Sequence, residues 1–112
     1  MNEYVNIFSL KKQFDGIMQA LQSDEQFQKE FLNSMGCLVE VKDDLAEDLC
    51  FLVECVSGHP NKSDCFTASE LQRAKEICLI FDDYSGQEYW EFWQFDQPKY
   101  AAVWKNIRRI AS

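Results

Sequence analysis

Between Tyr4 and Leu21 the apolar residues Ile7, Leu10, Phe14, Ile17, Met18 and Leu21 recur at steps of three and four, the period of a helix that buries one face. Ser23 with Gln26 three residues later forms a capping-box pattern. Phe27, Phe31, Leu32 and Met35 then continue the helical period until Gly36, a natural stop. Cys37 to Lys42 suits either a helix or an irregular segment. From Asp43 or Asp44 to Gly58 and Pro60 a third helix turns Leu45, Leu49, Leu52, Val53 and Val56 inward, with acids in its first turn where they complement the helix dipole.

Ser57 to Phe66 is a breaker-rich run around Gly58, His59 and Pro60 and reads as the longest loop. Thr67 and Glu70 form a second capping box, after which Leu71, Ala74, Ile77, Cys78, Phe81 and Tyr84 carry a fourth helix to Gly86. Gln87 to Asp96 holds five aromatics in ten residues at a mixed period, for which a short helix is preferred over a strand. Asp96 is placed to cap a last helix with Pro98 in its first turn and Tyr100, Val103, Trp104, Ile107 and Ile110 as the buried stripe. No hairpin signal, internal repeat or low-complexity stretch interrupts this order. The predicted fold is all-α, a single-domain irregular bundle of five to six helices over residues 1–112.

The 112 residues leave room for one core, and 46% hydrophobic content with nine Phe is a folding composition. The formal charge of −8 repels phosphate backbones and anionic headgroups, so neither direct nucleic-acid binding nor membrane binding is expected. The same field favours a basic protein partner, although solubility alone also explains an acidic surface. The first ten residues lack a charged start and a long apolar run, and no stretch approaches the roughly 20 apolar residues of a bilayer span, which predicts a cytoplasmic protein. Cysteines at 37, 50, 55, 65 and 78 form an odd set without a Cys-x-x-Cys pair and are expected as reduced, buried thiols.

Candidate chemistry is thin. With one histidine and no glycine-rich phosphate cradle, neither an enzyme nor a cofactor is expected. His59, beside Gly58 and Pro60, is expected as a solvent-exposed loop residue. Cys50, Cys55, His59 and Cys65 could supply four zinc ligands, but their spacing matches no usual zinc pattern, so no metal is expected.

The third helix viewed end on is more informative. At about 100° per residue, Asp44, Glu47, Phe51 and Glu54 fall within roughly 40° of the direction of Glu40, with Asp43 and Asp48 on the flanks. The apolar set points the opposite way, and Lys42 is the only cation between positions 40 and 61. An aromatic among carboxylates has the composition of a binding hot spot; burial of Phe51 under a covering segment is the alternative, and the sequence leaves both open. A second acidic surface is Asp82, Asp83, Glu88, Glu91 and Asp96, interleaved with the aromatics. There the preferred reading is that Trp90, Trp93 and Phe95 fill the core beneath the last helix. Lys99, Lys105, Arg108 and Arg109 gather at the end, leaving residues 1–96 with 19 acids and 7 bases.

In size, charge, helical pattern and an acidic helix bearing an aromatic, the chain resembles the small immunity proteins that bacteria make against their own nuclease toxins, as in colicin and contact-dependent inhibition systems. The resemblance implies a monomer or weak dimer that binds a basic, cognate toxin domain and blocks it. Asp44, Glu47, Asp48 and Glu54 would then pair with toxin Lys and Arg, with Phe51 as the central anchor and Asp82, Asp83, Glu88 and Glu91 as further contacts. A phage-encoded nucleic-acid mimic and an acidic secretion chaperone or adaptor are the alternatives.

Overall fold

The computed structural model describes residues 6–36 and 42–112, and among these every regular element is helical. Helix α1 spans Ile7–Gln22, α2 Glu25–Ser34, α3 Asp43–Ser57, α4 Ala68–Asp83 and α5 Ala101–Ala111. Short 3-10 segments cover Lys62–Asp64, Gln87–Trp93 and Pro98–Tyr100. The expected all-α bundle is thus observed, with the aromatic stretch from Gln87 forming a tight helical turn, kinked at Tyr89, instead of a strand.

Local chemistry sets the boundaries. The Asn6 side chain accepts from the Phe8 amide at 2.8 Å to start α1. The cap of α2 is Asp24, whose carboxylate accepts from the Phe27 amide at 2.9 Å, and not Ser23 as the sequence pattern suggests. Only two residues join α1 to α2, and Ser23 is already used at the end of α1, where its hydroxyl donates to the Gln19 carbonyl. Gly36 ends the described part of this unit at φ +79°, a left-handed conformation that costs glycine little. Both halves of the Thr67–Glu70 capping box form, at 3.0 Å each. Asp96 does not cap the last helix. It adopts φ 61°, its amide donates to Glu25 at 2.8 Å, and the turn beginning at Pro98 supplies the entry to α5.

The four longer-range packing partners close a ring in the order α1, α3, α4, α5, with α2 set against α1. Their apolar stripes meet in one buried cluster that includes Phe14, Leu21, Leu45, Leu49, Ile77 and Ile107. Phe92 plugs one end of it. Its ring stacks on Tyr84 and Trp104 at centroid distances of 4.3 and 4.8 Å, and its carbonyl accepts from the Trp104 indole at 3.0 Å. His59 is buried, in contrast to the exposed loop residue expected; its Nδ1 accepts from the Asn61 amide at 3.0 Å and so closes the turn after α3. The expectations for Tyr4, Glu40 and Cys37 fall outside the described residues.

Lys42 is the least foreseeable core residue. Its backbone amide donates to the Trp93 carbonyl, and its ammonium lies 4.2 Å from the centroid of the Trp104 ring and 3.1 Å from Glu25. It therefore ties α2, α3 and the aromatic turn together. Burial holds the ammonium below the ordinary lysine value of 10.5, with Glu25 opposing the shift. Glu25→Gln is expected to strand this charge at a cost of about 1–2 kcal/mol, more than Lys42→Met, which removes charge and desolvation penalty together. The unfolded chain holds the Lys42 proton to higher pH than the folded one, so this group favours folding increasingly as pH rises towards 10.5. Melts from neutral to alkaline pH should show that gain in the parent and not in Lys42→Met; parallel curves would refute it.

Candidate functional site

The outward side of α3 is built by period alone. Leu45, Leu49, Leu52 and Val56 turn to the core, which forces the residues between them outward. Phe51 is 65% exposed, which decides the alternative left open by the sequence. Asp43 and Asp44 lie in the first turn, where the helix dipole favours them; Glu47 and Glu54 are exposed, and Asp48 is half-buried. Among the described residues none of these carboxylates enters an ion pair, because the four pairs present involve Lys11, Lys29 and Lys42 with Asp15, Glu70, Asp96 and Glu25. Lys42, the one cation nearby in sequence, is turned inward and neutralises none of them.

Phe51 stands on a ridge between two clefts. On the α3–α4 side, Asp43, Glu47, Cys50 and Asp82 line a cleft of about 430 Å³ together with Phe81 and Trp93. It continues past Glu47 and Asp82 towards Glu54 and Phe51. The structure therefore brings Asp82 of the second acidic surface beside Glu47 of the first. On the α1–α2 side, Phe51 and Leu52 join Gly16, Ile17, Phe31 and Met35 in a largely apolar cleft of about 370 Å³, whose lining also includes Lys12 and Asp48.

Asp83, Glu88 and Glu91 do not line the α3–α4 cleft. Asp83 is exposed at the end of α4, the exposed carboxylate of Glu88 lies over Gly86, and Glu91 is half-buried on the aromatic turn. Both Asp82 and Asp83 occupy the last turn of α4, which holds no base, so they oppose the local helix dipole. Trp93 and Phe95 pack against the core, but Trp90 is 58% exposed, which corrects its assignment to the interior. Phe8 and Leu79 are exposed apolar residues that the sequence reading passed over. The signal was present, since each falls out of phase with the buried stripe of its own helix.

Asp43, Glu47 and Asp82, which enter no ion pair among the described residues, line one cleft with Trp93 and Phe81, a set of groups that can accept an ammonium or guanidinium, the latter also by stacking. Asp48 carries the electrostatic cost of the face: burial, then repulsion from Asp44, pushes its carboxyl above the usual value. A carboxyl whose proton affinity rises on folding weakens the fold above its titration range, and the loss is recovered as pH falls through that range. Asp48→Asn is accordingly expected to raise Tm at neutral pH by roughly 1–3 °C. A lower Tm would show that the charge is structurally needed. Among the described residues no helix is long and apolar enough to cross a membrane, and no group of three or more His, Cys, Asp or Glu is placed to hold a metal ion. Neither a family model, nor a curated protein, nor a solved structure matches the chain.

Proposed function

We propose that the chain is an immunity-type inhibitor that binds a basic toxin domain, of the nuclease class, across α3 and the α3–α4 cleft. The observation that carries the reading is Phe51, an exposed aromatic on a ridge whose carboxylates enter no ion pair among the described residues. A surface selected for solubility alone gains nothing from a large exposed apolar ring, whereas a hot spot combines such a ring with a polar rim. The fit to a nuclease is electrostatic: a site that holds phosphates presents Lys and Arg, and carboxylates at Glu47, Glu54 and Asp82 offer the complementary charge.

The test is inhibition of a purified nuclease domain encoded beside this chain's gene. Stoichiometric loss of cleavage is expected, with Glu47→Lys and Asp82→Lys each slowing association at low salt by about tenfold and much less at high salt. Undiminished cleavage at saturating protein would end the proposal, and equal inhibition of several unrelated nucleases would favour a nucleic-acid mimic. The apolar cleft between α1, α2 and α3 favours a second reading, an adaptor that seats an amphipathic segment beside Phe51. Binding by that mode would be nearly independent of salt.

A further inference from the structure

Helices α3 and α5 stand across the ring from each other, each packed on α1 and α4. Both turn their apolar stripes into the one core, so their outer rows look away from the bundle on opposite sides. The row on α3 is acidic, with Asp44, Glu47 and Glu54 around the exposed Phe51. The row on α5 has the opposite sign. Lys105 and Arg109 are exposed and one turn apart, and Lys99 extends the row from the turn that leads into the helix. No acid follows Asp96 in the sequence, and none of these three bases enters an ion pair among the described residues. Arg109 donates to a neutral neighbour on its own helix, the Asn106 side chain, at 2.8 Å.

We propose that copies of this chain associate head to tail, the basic outer row of α5 on one copy docking on the acidic outer row of α3 on the next. The two rows match in sign and in length. From Asp44 to Glu54 and from Lys99 to Arg109 each covers roughly 15 Å of helix at about 1.5 Å per residue. They also match in shape, since Phe51 stands out from the α3 row, whereas the short, exposed Ala101 and Ala102 leave room beside Lys105 for a ring. An Arg109 guanidinium from the neighbouring copy is suited to lie on that ring as well as to pair with a carboxylate.

The opposite placement of the two rows decides the symmetry. A closed two-fold dimer needs both contact surfaces within one self-complementary patch, and rows on opposite sides of the bundle cannot share one. Association is therefore open, each copy leaving one free row of each sign. It is also weak, because one helix laid on another buries less than the roughly 1,200 Å² of a stable complex, which corresponds to a dissociation constant of about 0.1–1 mM. The net charge of −8 on each copy opposes it at long range, but at about 0.15 M salt the screening length of roughly 8 Å is well below the 25 Å of the bundle's narrowest direction, and only charges in contact still attract. The association needs no other protein. A basic partner on α3 competes with the neighbouring copy for the same row.

The experiment is sedimentation of the full chain from about 0.05 to about 3 mM, at about 0.15 M and about 1 M sodium chloride. At the lower salt the average mass should climb past two chains with concentration, and at the higher salt it should stay near one. Two double variants neutralise one row each, Lys105→Gln with Arg109→Gln and Glu47→Gln with Glu54→Gln; all four positions are exposed, so parent-like circular dichroism is expected of both. Each variant alone should associate at least about tenfold more weakly than the parent. Mixed in equal amounts they should form a pair that stops at two chains, because only one intact acidic row and one intact basic row remain. A parent that stays monomeric at the lower salt, a mass that levels off at two, or association that survives at the higher salt or in either variant would overturn the proposal. So would a mixture of the two variants that remains monomeric.

Discussion

Phe51→Ala is expected to weaken binding of the proposed toxin domain by about 2–3 kcal/mol, roughly 30-fold to 150-fold in Kd, and to leave the melting temperature nearly unchanged. The two outcomes separate because the ring is 65% exposed in the free chain, so its removal takes little apolar area from the core. In a complex the same ring would be enclosed, with Glu47 and Glu54 on one side and Asp48 on the other excluding water from its edges. Binding kinetics should place the loss in the dissociation rate, since an anchor acts after encounter, while the rim charges act on association. Parent-like dissociation would remove α3 as the working face. A Tm loss comparable to that of a core substitution would show instead that Phe51 supports the fold.

Phe92→Ala is expected to cost about 3–5 kcal/mol of folding stability, the largest single effect in the chain. Phe92 is fully buried and contacts the rings of Tyr84, Trp93, Tyr100 and Trp104. Truncation leaves a hole walled by rigid aromatics held by backbone hydrogen bonds, as Trp93 is to Tyr84 and Trp104 to Phe92, so collapse around it is restricted. Against a total of about 5–15 kcal/mol for a domain, such a loss leaves the chain marginally folded. Phe92→Leu should lose markedly less, because it retains most of the volume. Denaturant unfolding at constant m-value measures both; a Phe92→Ala midpoint close to the parent's would mean that the aromatic turn is dispensable to the core.

The helices were legible because their signals are local. A stripe at steps of three and four identified α1, α3, α4 and α5, and the capping box at Thr67 located the start of α4 to the residue. Errors arose where a residue had two competing local uses. Ser23 and Asp24 both suit an N-cap, and the two-residue connection to α1 gave that role to Asp24. Asp96 reads as a cap, but its left-handed backbone directs its amide to Glu25, which lies 71 residues away in sequence.

For the candidate site, the sequence by itself determined that α3 carries carboxylates and Phe51 on the side opposite its leucines, because helical period and hydrophobic burial act within a single element. Only the tertiary structure decided what that side faces. Whether Phe51 is covered, whether Lys42 neutralises the acids or turns inward beneath Trp104, and whether Asp82 lies beside Glu47 all depend on which helices become neighbours. The same holds for Cys50 and Cys78, which are 28 positions apart and line one cleft only because α3 packs on α4. Such neighbours are chosen by the joint packing of four stripes around one core, a global optimum to which no single stretch of sequence carries the answer.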